Sequence, residues 1–194
     1  MIINIRGTSG CGKSTLVRQI MDQYCTKTRV MEPGRKQPIG YILSNPKPDS
    51  GINRSYSLAV MGHYETACGG CDTINKHDHV LELVRSADDA NMHVIFEGLL
   101  LSGEVHRMTA LQEEGRPFMV VGMDKVPIET CLESVNGRRL ARVGPEKFKP
   151  VKEANTIAKF RGTQLAMKRL HDAGVNVHSV DRKEGFQVVM EALQ

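Results

Sequence analysis

Residues 7 to 14 read Gly-Thr-Ser-Gly-Cys-Gly-Lys-Ser, a G-x-x-x-x-G-K-S pattern. Glycines at this spacing let successive backbone N–H groups turn inward and form a nest for phosphate oxygens. A helix starting at Ser14 would aim the positive end of its dipole at the same anion. Lys13 can reach the β and γ phosphates of a nucleoside triphosphate, and the Ser14 hydroxyl can ligate Mg²⁺. The expected cradle is Gly7, Thr8, Ser9, Gly10, Cys11, Gly12, Lys13, Ser14 and Thr15, and its expected occupants are ATP and Mg²⁺.

Two further sets of residues fit phosphoryl chemistry. Glu97 closes the run His-Val-Ile-Phe-Glu and precedes Gly98. An acid at the end of a buried strand can hold a metal ion or take the proton from an acceptor hydroxyl. The plain alternative is an ordinary strand-end carboxylate. Arg138, Arg139 and Arg142 form the second set, and Arg138 and Arg142 share a helical face if the helix there continues. Arginines over a nucleotide can offset the charge that spreads on a migrating phosphoryl group. Gly137 and Gly144-Pro145 bracket them, so residues 137–153 read as a lid segment. A basic helix terminus that complements its own dipole is the competing reading.

These groups need elements to hold them. Ile2 to Arg6 is a short β-branched run, followed after Ser14 by apolar residues Leu16, Val17, Ile20, Met21 and Tyr24 at helical spacing. Further strands are expected at 29–31, 41–43, 57–61, 94–96, 118–123 and 175–180. Helices are expected over 80–90, 104–113, 127–136 and 155–172, with a last one from about Glu184. Strands alternating with helices imply an α/β fold: a parallel sheet with helices on both faces, in one domain over residues 1–194. Ligands in such sheets sit beyond the carboxyl ends of the strands, where the Gly7 loop, Glu97 and Asp124 all fall.

Composition narrows the partner. The chain has 194 residues, of which 40% are hydrophobic and 25% charged, which excludes a disordered or fibrous protein. No run approaches a membrane span, and the polar N-terminus does not resemble a secretory signal, so a soluble cytoplasmic protein is expected. Five scattered cysteines fit reduced thiols better than a disulfide scaffold. The net charge is only +4, yet residues 138–169 hold ten Lys or Arg against Glu146 and Glu153, a local excess of +8. That excess suits a phosphate-rich partner, a nucleotide or a nucleic acid backbone.

Together the glycine loop, the Val-Ile-Phe-Glu-Gly strand end, Asp124-Lys-Val-Pro-Ile-Glu129 and the arginine cluster resemble a small P-loop kinase of the nucleoside and nucleotide kinase group. Thymidylate kinases carry Asp-Arg where this chain has Glu97-Gly98, which argues against plain thymidylate kinase activity. The loop Gly62-His-Tyr-Glu-Thr-Ala-Cys-Gly-Gly-Cys-Asp-Thr73 is similar to one in phage-encoded kinases that phosphorylate 5-hydroxymethyluracil within phage DNA. The resemblance implies an ATP- and Mg²⁺-dependent kinase with a hydroxymethylated DNA base as acceptor, at work in a host cytoplasm.

On that reading Tyr64 would stack a base, and Glu65 and Asp72 would accept from its edge. Arg54, with Lys47 and Lys76, would help the basic segment to grip DNA. Lys13, Glu97, Arg138 and Arg142 would be catalytic, with Ser14 and Glu97 at the metal. A kinase of a free nucleoside or monophosphate, and an ATP-gated binding module, stay open beside it. Cys68 and Cys71 with His77 and His79 could be read as zinc ligands, but the His-x-His pair lacks the regular spacing of a structural site.

Overall fold

A computed structural model describes all 194 residues. Strands β1 (Ile2–Arg6), β2 (Tyr24–Val30), β3 (Gly40–Pro46), β4 (Leu58–Met61), β5 (His93–Glu97), β6 (Phe118–Gly122) and β7 (Asn176–Ser179) form one sheet. Its order is β2-β3-β4-β5-β1-β6-β7. Six helices accompany it: α1 (Lys13–Met21), α2 (His77–Asp89), α3 (His106–Glu113), α4 (Ile128–Val143), α5 (Glu153–Asp172) and α6 (Arg182–Ala192). No helix is long and apolar enough to cross a membrane.

Five strands, β4, β5, β1, β6 and β7, are mutually parallel, as the alternation predicts. The exception is β3, which runs antiparallel to both β2 and β4. The expected all-parallel sheet is therefore corrected to a mixed one with a hairpin at its edge. Helix α1 stops at Met21 rather than reaching Tyr24, because the chain turns at Asp22-Gln23 and Tyr24 begins β2. The Thr-Lys-Thr-Arg-Val run suits a strand better than a helix.

Every side chain of β1 is buried, as its central place in the sheet requires. Alternate residues face opposite sides. Ile3 and Ile5 join a cluster with Leu16, Val17 and Ile20 of α1 and Val189 of α6. Ile2 joins Val80 and Val84 of α2, Met108 of α3 and Leu170 of α5 on the other face. Burying such a Leu, Val or Ile stabilises the fold by roughly 1.5–3 kcal/mol each. The polar side chains of β1 are paired, and Asn4 Nδ2 donates to the Phe96 carbonyl at 3.3 Å. Arg6 donates to Asn4 Oδ1 at 2.6 Å and to the carbonyls of Ser102 and Glu104 at 3.3 and 2.5 Å. Burial draws its guanidinium down to about 10, so it stays charged at neutral pH and anchors the chain that follows β5.

Helix α4 continues through Gly137 to Val143, seven residues beyond the expected end at Asn136. Gly137 is solvent-facing with nothing within 4 Å of the place of a side chain, so it weakens the helix without breaking it. A single 3-10 turn at Pro145–Lys147 then leads to α5. Segment 137–153 is thus a helix end, a turn and a short connection. Helix α6 opens at Arg182 under a capping box, in which Asp181 accepts from Lys183 and Glu184 N–H groups and Glu184 accepts from Asp181 N–H.

Candidate active site

The carboxyl ends of β1 and β5 meet the N-terminus of α1 in one open cleft of about 1040 Å³. Ser9, Gly10, Gly12, Lys13, Ser14 and Thr15 line one wall, and Ala67, Cys68, Gly69, Asp72, Glu97 and Leu99 line another. Gly10 has φ +87°, and a Cβ there would overlap the Cys131 carbonyl of α4, so no other residue fits. Cys11 is fully buried beneath the loop, and burial pushes its thiol up. It packs the loop from below, and its side chain does not line the cleft.

Lys13 Nζ donates to the loop's own carbonyls, Gly7 at 2.8 Å and Thr8 at 3.3 Å. The ammonium is thereby held at the mouth of the glycine loop. Across the cleft floor, Ser14 Oγ donates to Glu97 Oε1 at 2.7 Å. Register explains the meeting: Ile5 of β1 pairs with Glu97 of β5, so the strand end and the start of α1 face each other. Glu97 is 1% exposed. Burial pushes its carboxyl above the ordinary range, while Lys13 and then Ser14 pull it back.

The loop from Gly62 to Asp72 is a collar around this acid. Arg18 of α1 donates to the Tyr64 carbonyl at 3.1 Å and to that of Thr66. His63 and Gly70 exchange backbone hydrogen bonds across the loop. Gly70, at φ +93°, lies so close that a Cβ would meet Glu97 Oε1 at 2.5 Å. Asp72 accepts from the N–H groups of Leu99 and Leu100 at 3.0 and 3.3 Å, fixing the turn after Glu97.

No family model matches the chain. It is 44% identical over 193 residues to a 5-hmdU DNA kinase of Pseudomonas phage PaMx11, an alignment covering 100% of this chain and 97% of that protein. The chain belongs to the 5-hmdU DNA kinase family. Proteins of the same name from Bacillus phage SP10 and Pseudomonas phage M6 are 26% and 28% identical over 182 and 180 residues. The alignments span 90% and 84% of this chain, but 26% of the longer SP10 protein and 85% of the M6 protein.

As a member of this kinase family the chain is a phosphotransferase, and its other expected site residues separate into two groups. Arg138 lines the cleft, within 3.7 Å of Cys68 Sγ. Arg142, one turn further along the same face of α4, is exposed and does not line the cleft, which corrects its expected catalytic place. Tyr64 is 7% exposed, packed against Tyr41 at 6.3 Å with Arg18 over its ring. Its ring is therefore core, not a platform for an incoming base. Glu65 pairs with Arg29 at 2.8 Å in a separate groove of about 440 Å³ beside β2. Asp72 does reach the cleft, though its oxygens already serve the Leu99–Leu100 turn.

Arg54 is exposed in the connection that enters β4, at the opposite edge of the sheet from the cleft. Lys47 follows β3, and because β3 is reversed it falls at that same far edge. Asp124 accepts from Ser179 Oγ at 2.6 Å and does not line the cleft. Cys68 is exposed, Cys71 is buried, and His79 pairs with Glu32 at 2.6 Å. No three His, Cys, Asp or Glu side chains gather in a metal-binding group.

The kinase cleft also has lining residues that the motif does not include: Arg182, Lys183 and Phe186 from the start of α6. Arg182 donates to the carbonyls of Gly10 at 2.9 Å and Cys11 at 3.0 Å, and to Ser134 Oγ at 3.1 Å. It straps the glycine loop to α4 and α6. The Asp181-x-x-Glu184 capping pattern at the carboxyl end of the last strand is the available signal for it.

Proposed function

We propose that this chain transfers the γ-phosphoryl group of ATP to the hydroxymethyl oxygen of 5-hydroxymethyluracil in DNA. The observation that carries the reading is the Ser14–Glu97 pair, held at the floor of a cleft that Lys13 and the glycine loop enter from the other side. The names of the phage relatives supply the acceptor. Sheet order and loop sequence favour the P-loop nucleotide kinase architecture, with residues 1–194 acting as one catalytic unit.

Backbone N–H groups of the loop and the α1 N-terminus would cradle the triphosphate. Lys13 Nζ would exchange its two carbonyl partners for phosphate oxygens. Ser14 and Glu97 fit a Mg²⁺ ion, because a buried carboxylate whose ionised form burial disfavours gains from a cation beside it. When bound, Mg²⁺ would offset charge on the β and γ phosphates. Glu97 takes the proton from the acceptor hydroxyl. The hydroxyl oxygen bonds to the γ phosphorus, the bond from that phosphorus to the β–γ bridging oxygen breaks, and ADP leaves. Arg138, at the cleft end of segment 137–153, faces the migrating group.

The test offers γ-labelled ATP and Mg²⁺ with three acceptors: DNA containing 5-hydroxymethyluracil, the free nucleoside, and thymidine monophosphate. Label that stays on the modified base after digestion of the DNA is expected. Label on a small acceptor alone would make the chain a metabolic kinase. Bound ATP with no label anywhere would make it a nucleotide switch.

A further inference from the structure

The chain's cations are not shared out evenly among its acids. Outside residues 138–169, six of the sixteen Lys and Arg pair with carboxylates: Lys27 with Asp22, Arg29 with Glu65, Arg85 with Glu114, Arg107 with Asp78, Arg116 with Asp88, and Lys125 with Glu184. Between residues 138 and 169 the sequence has ten Lys or Arg. None of these ten has a carboxylate within 4.0 Å, and Glu146 and Glu153 are likewise unpaired. Surface pairs contribute little stability each, so their absence is no burden to the fold. What the arrangement leaves is a local excess of positive charge without ion-pair partners.

Place matters as much as sign. Arg142, Lys147, Lys149 and Lys152 are exposed on the arm that joins α4 to α5. Helix α5 buries Thr156, Thr163, Met167 and Leu170, so Arg161 and Lys168 project from its opposite, outward side. Seven residues separate that pair, about 10 Å along the helix, the length of roughly three nucleotides of one strand. Both ends of the arm are fastened near the cleft. Arg138 lines it, Val151 N–H donates to Asn136 Oδ1 at 2.9 Å, and the Thr156 carbonyl accepts from Thr8 Oγ1 of the glycine loop at 3.5 Å. The cations therefore begin at the rim of the cleft and lead away from it, outside the volume a nucleotide fills.

We infer that this outward face, the arm over residues 142–152 and the outer side of α5, is the track for the phosphodiester backbone of the DNA that presents the acceptor base. The inference rests on the function proposed above and deepens it. A base drawn out of a duplex into the cleft leaves its flanking phosphates at the rim, and extrusion costs a few kcal/mol that backbone binding must offset. A free nucleoside has no flanking phosphates and gains nothing from the face. Binding of the polymer then releases counterions, so its affinity falls steeply with salt.

The experiment compares wild type with Lys149→Glu/Lys152→Glu and with Arg161→Glu/Lys168→Glu. Each is assayed on long duplex DNA containing 5-hydroxymethyluracil and on a trinucleotide carrying the same base. On the duplex, KM should rise by about 10-fold or more, and the slope of log KM against log salt should flatten by about 2 for every two phosphates that a variant no longer neutralises. KM for ATP should stay within about twofold of wild type, which also reports an intact fold. A neutral Lys149→Gln/Lys152→Gln variant should fall between wild type and reversal. Unchanged duplex KM and salt slope in both reversed variants would overturn the track while leaving the kinase reading in place. A wild-type enzyme that labels the trinucleotide and not the duplex would also overturn it. Wild type that labels neither would remove the function on which the track rests.

Discussion

The Ser14 hydroxyl and the Glu97 carboxylate meet at 2.7 Å although they belong to elements 83 residues apart. The contact exists because β1 and β5 are parallel neighbours whose register sets Ile5 opposite Glu97. Strand pairing thus brings the start of α1 against a buried acid, and the glycine loop closes the space between them. The same packing that makes this site costs something, since burial disfavours charge on Glu97.

Replacing Glu97 with Gln should separate stability from activity. Folding raises this carboxyl, so the fold favours the protonated form. That contribution is present below the ordinary glutamate range and is lost as pH rises through the raised value. Ionising the side chain is therefore a net cost, which Gln removes while still accepting from Ser14. Glu97→Gln should melt above wild type near neutral pH, with the difference closing by about pH 4. Turnover should fall by about 10²–10⁴-fold, the share of a general base. A variant with the melting temperature of wild type and its full turnover would remove both the burial cost and the catalytic role.

Gly70→Ala tests whether the collar positions that acid. The residue has φ +93°, and the new methyl would sit 2.5 Å from Glu97 Oε1 and 2.7 Å from the Glu97 carbonyl. Strain of this kind costs on the order of 1–3 kcal/mol. Displacement of the carboxylate should lower kcat by about 10–100-fold with little change in KM for ATP. In a double-mutant cycle, Gly70→Ala should cost almost nothing further on a Glu97→Gln background. Additive losses would assign Gly70 to loop stability alone.

What the sequence carries, and what it does not, follows from how far each signal reaches. The glycine loop is legible because its pattern is complete within eight consecutive residues, 7 to 14. Glu97 is legible because a polar residue ending an apolar run marks the end of a buried strand. Tyr64 is misplaced because a tyrosine in a glycine-rich loop gives no sign of burial, and here Tyr41 and Arg18 enclose it. Lys47 is misplaced because nothing local shows that β3 is reversed, and that reversal decides which edge of the sheet it reaches; Arg54 is misplaced because it enters β4, whose amino end is the far edge. Arg182 escapes notice because its partners Cys11 and Gly10 are 171 and 172 residues away.

Arg54 and Arg138 give opposite expectations from the same residue type. Arg54→Ala should leave kcat and both KM values within about twofold, as expected of an exposed side chain away from the cleft. Arg138→Ala removes a guanidinium that faces the cleft and should lower kcat by about 10²–10³-fold. Steady-state kinetics on a DNA acceptor decide both. Equal losses would mean that the far edge of the sheet takes part in substrate binding.

Arg182 braces the glycine loop from outside the motif. Its guanidinium spans the Gly10 and Cys11 carbonyls and Ser134 Oγ, three acceptors on two elements. Only a planar fork of several N–H donors reaches all three, so Lys is not an equivalent replacement. Both Arg182→Ala and Arg182→Lys should loosen the loop that receives the triphosphate. KM for ATP should rise by about 10-fold, or ~1.4 kcal/mol, with the Lys variant recovering a small part of the loss. The KM for DNA should not change, because these hydrogen bonds hold the glycine loop. Full rescue by Lys would show that charge alone matters at this position, and a matching rise in the KM for DNA would place Arg182 on the acceptor side.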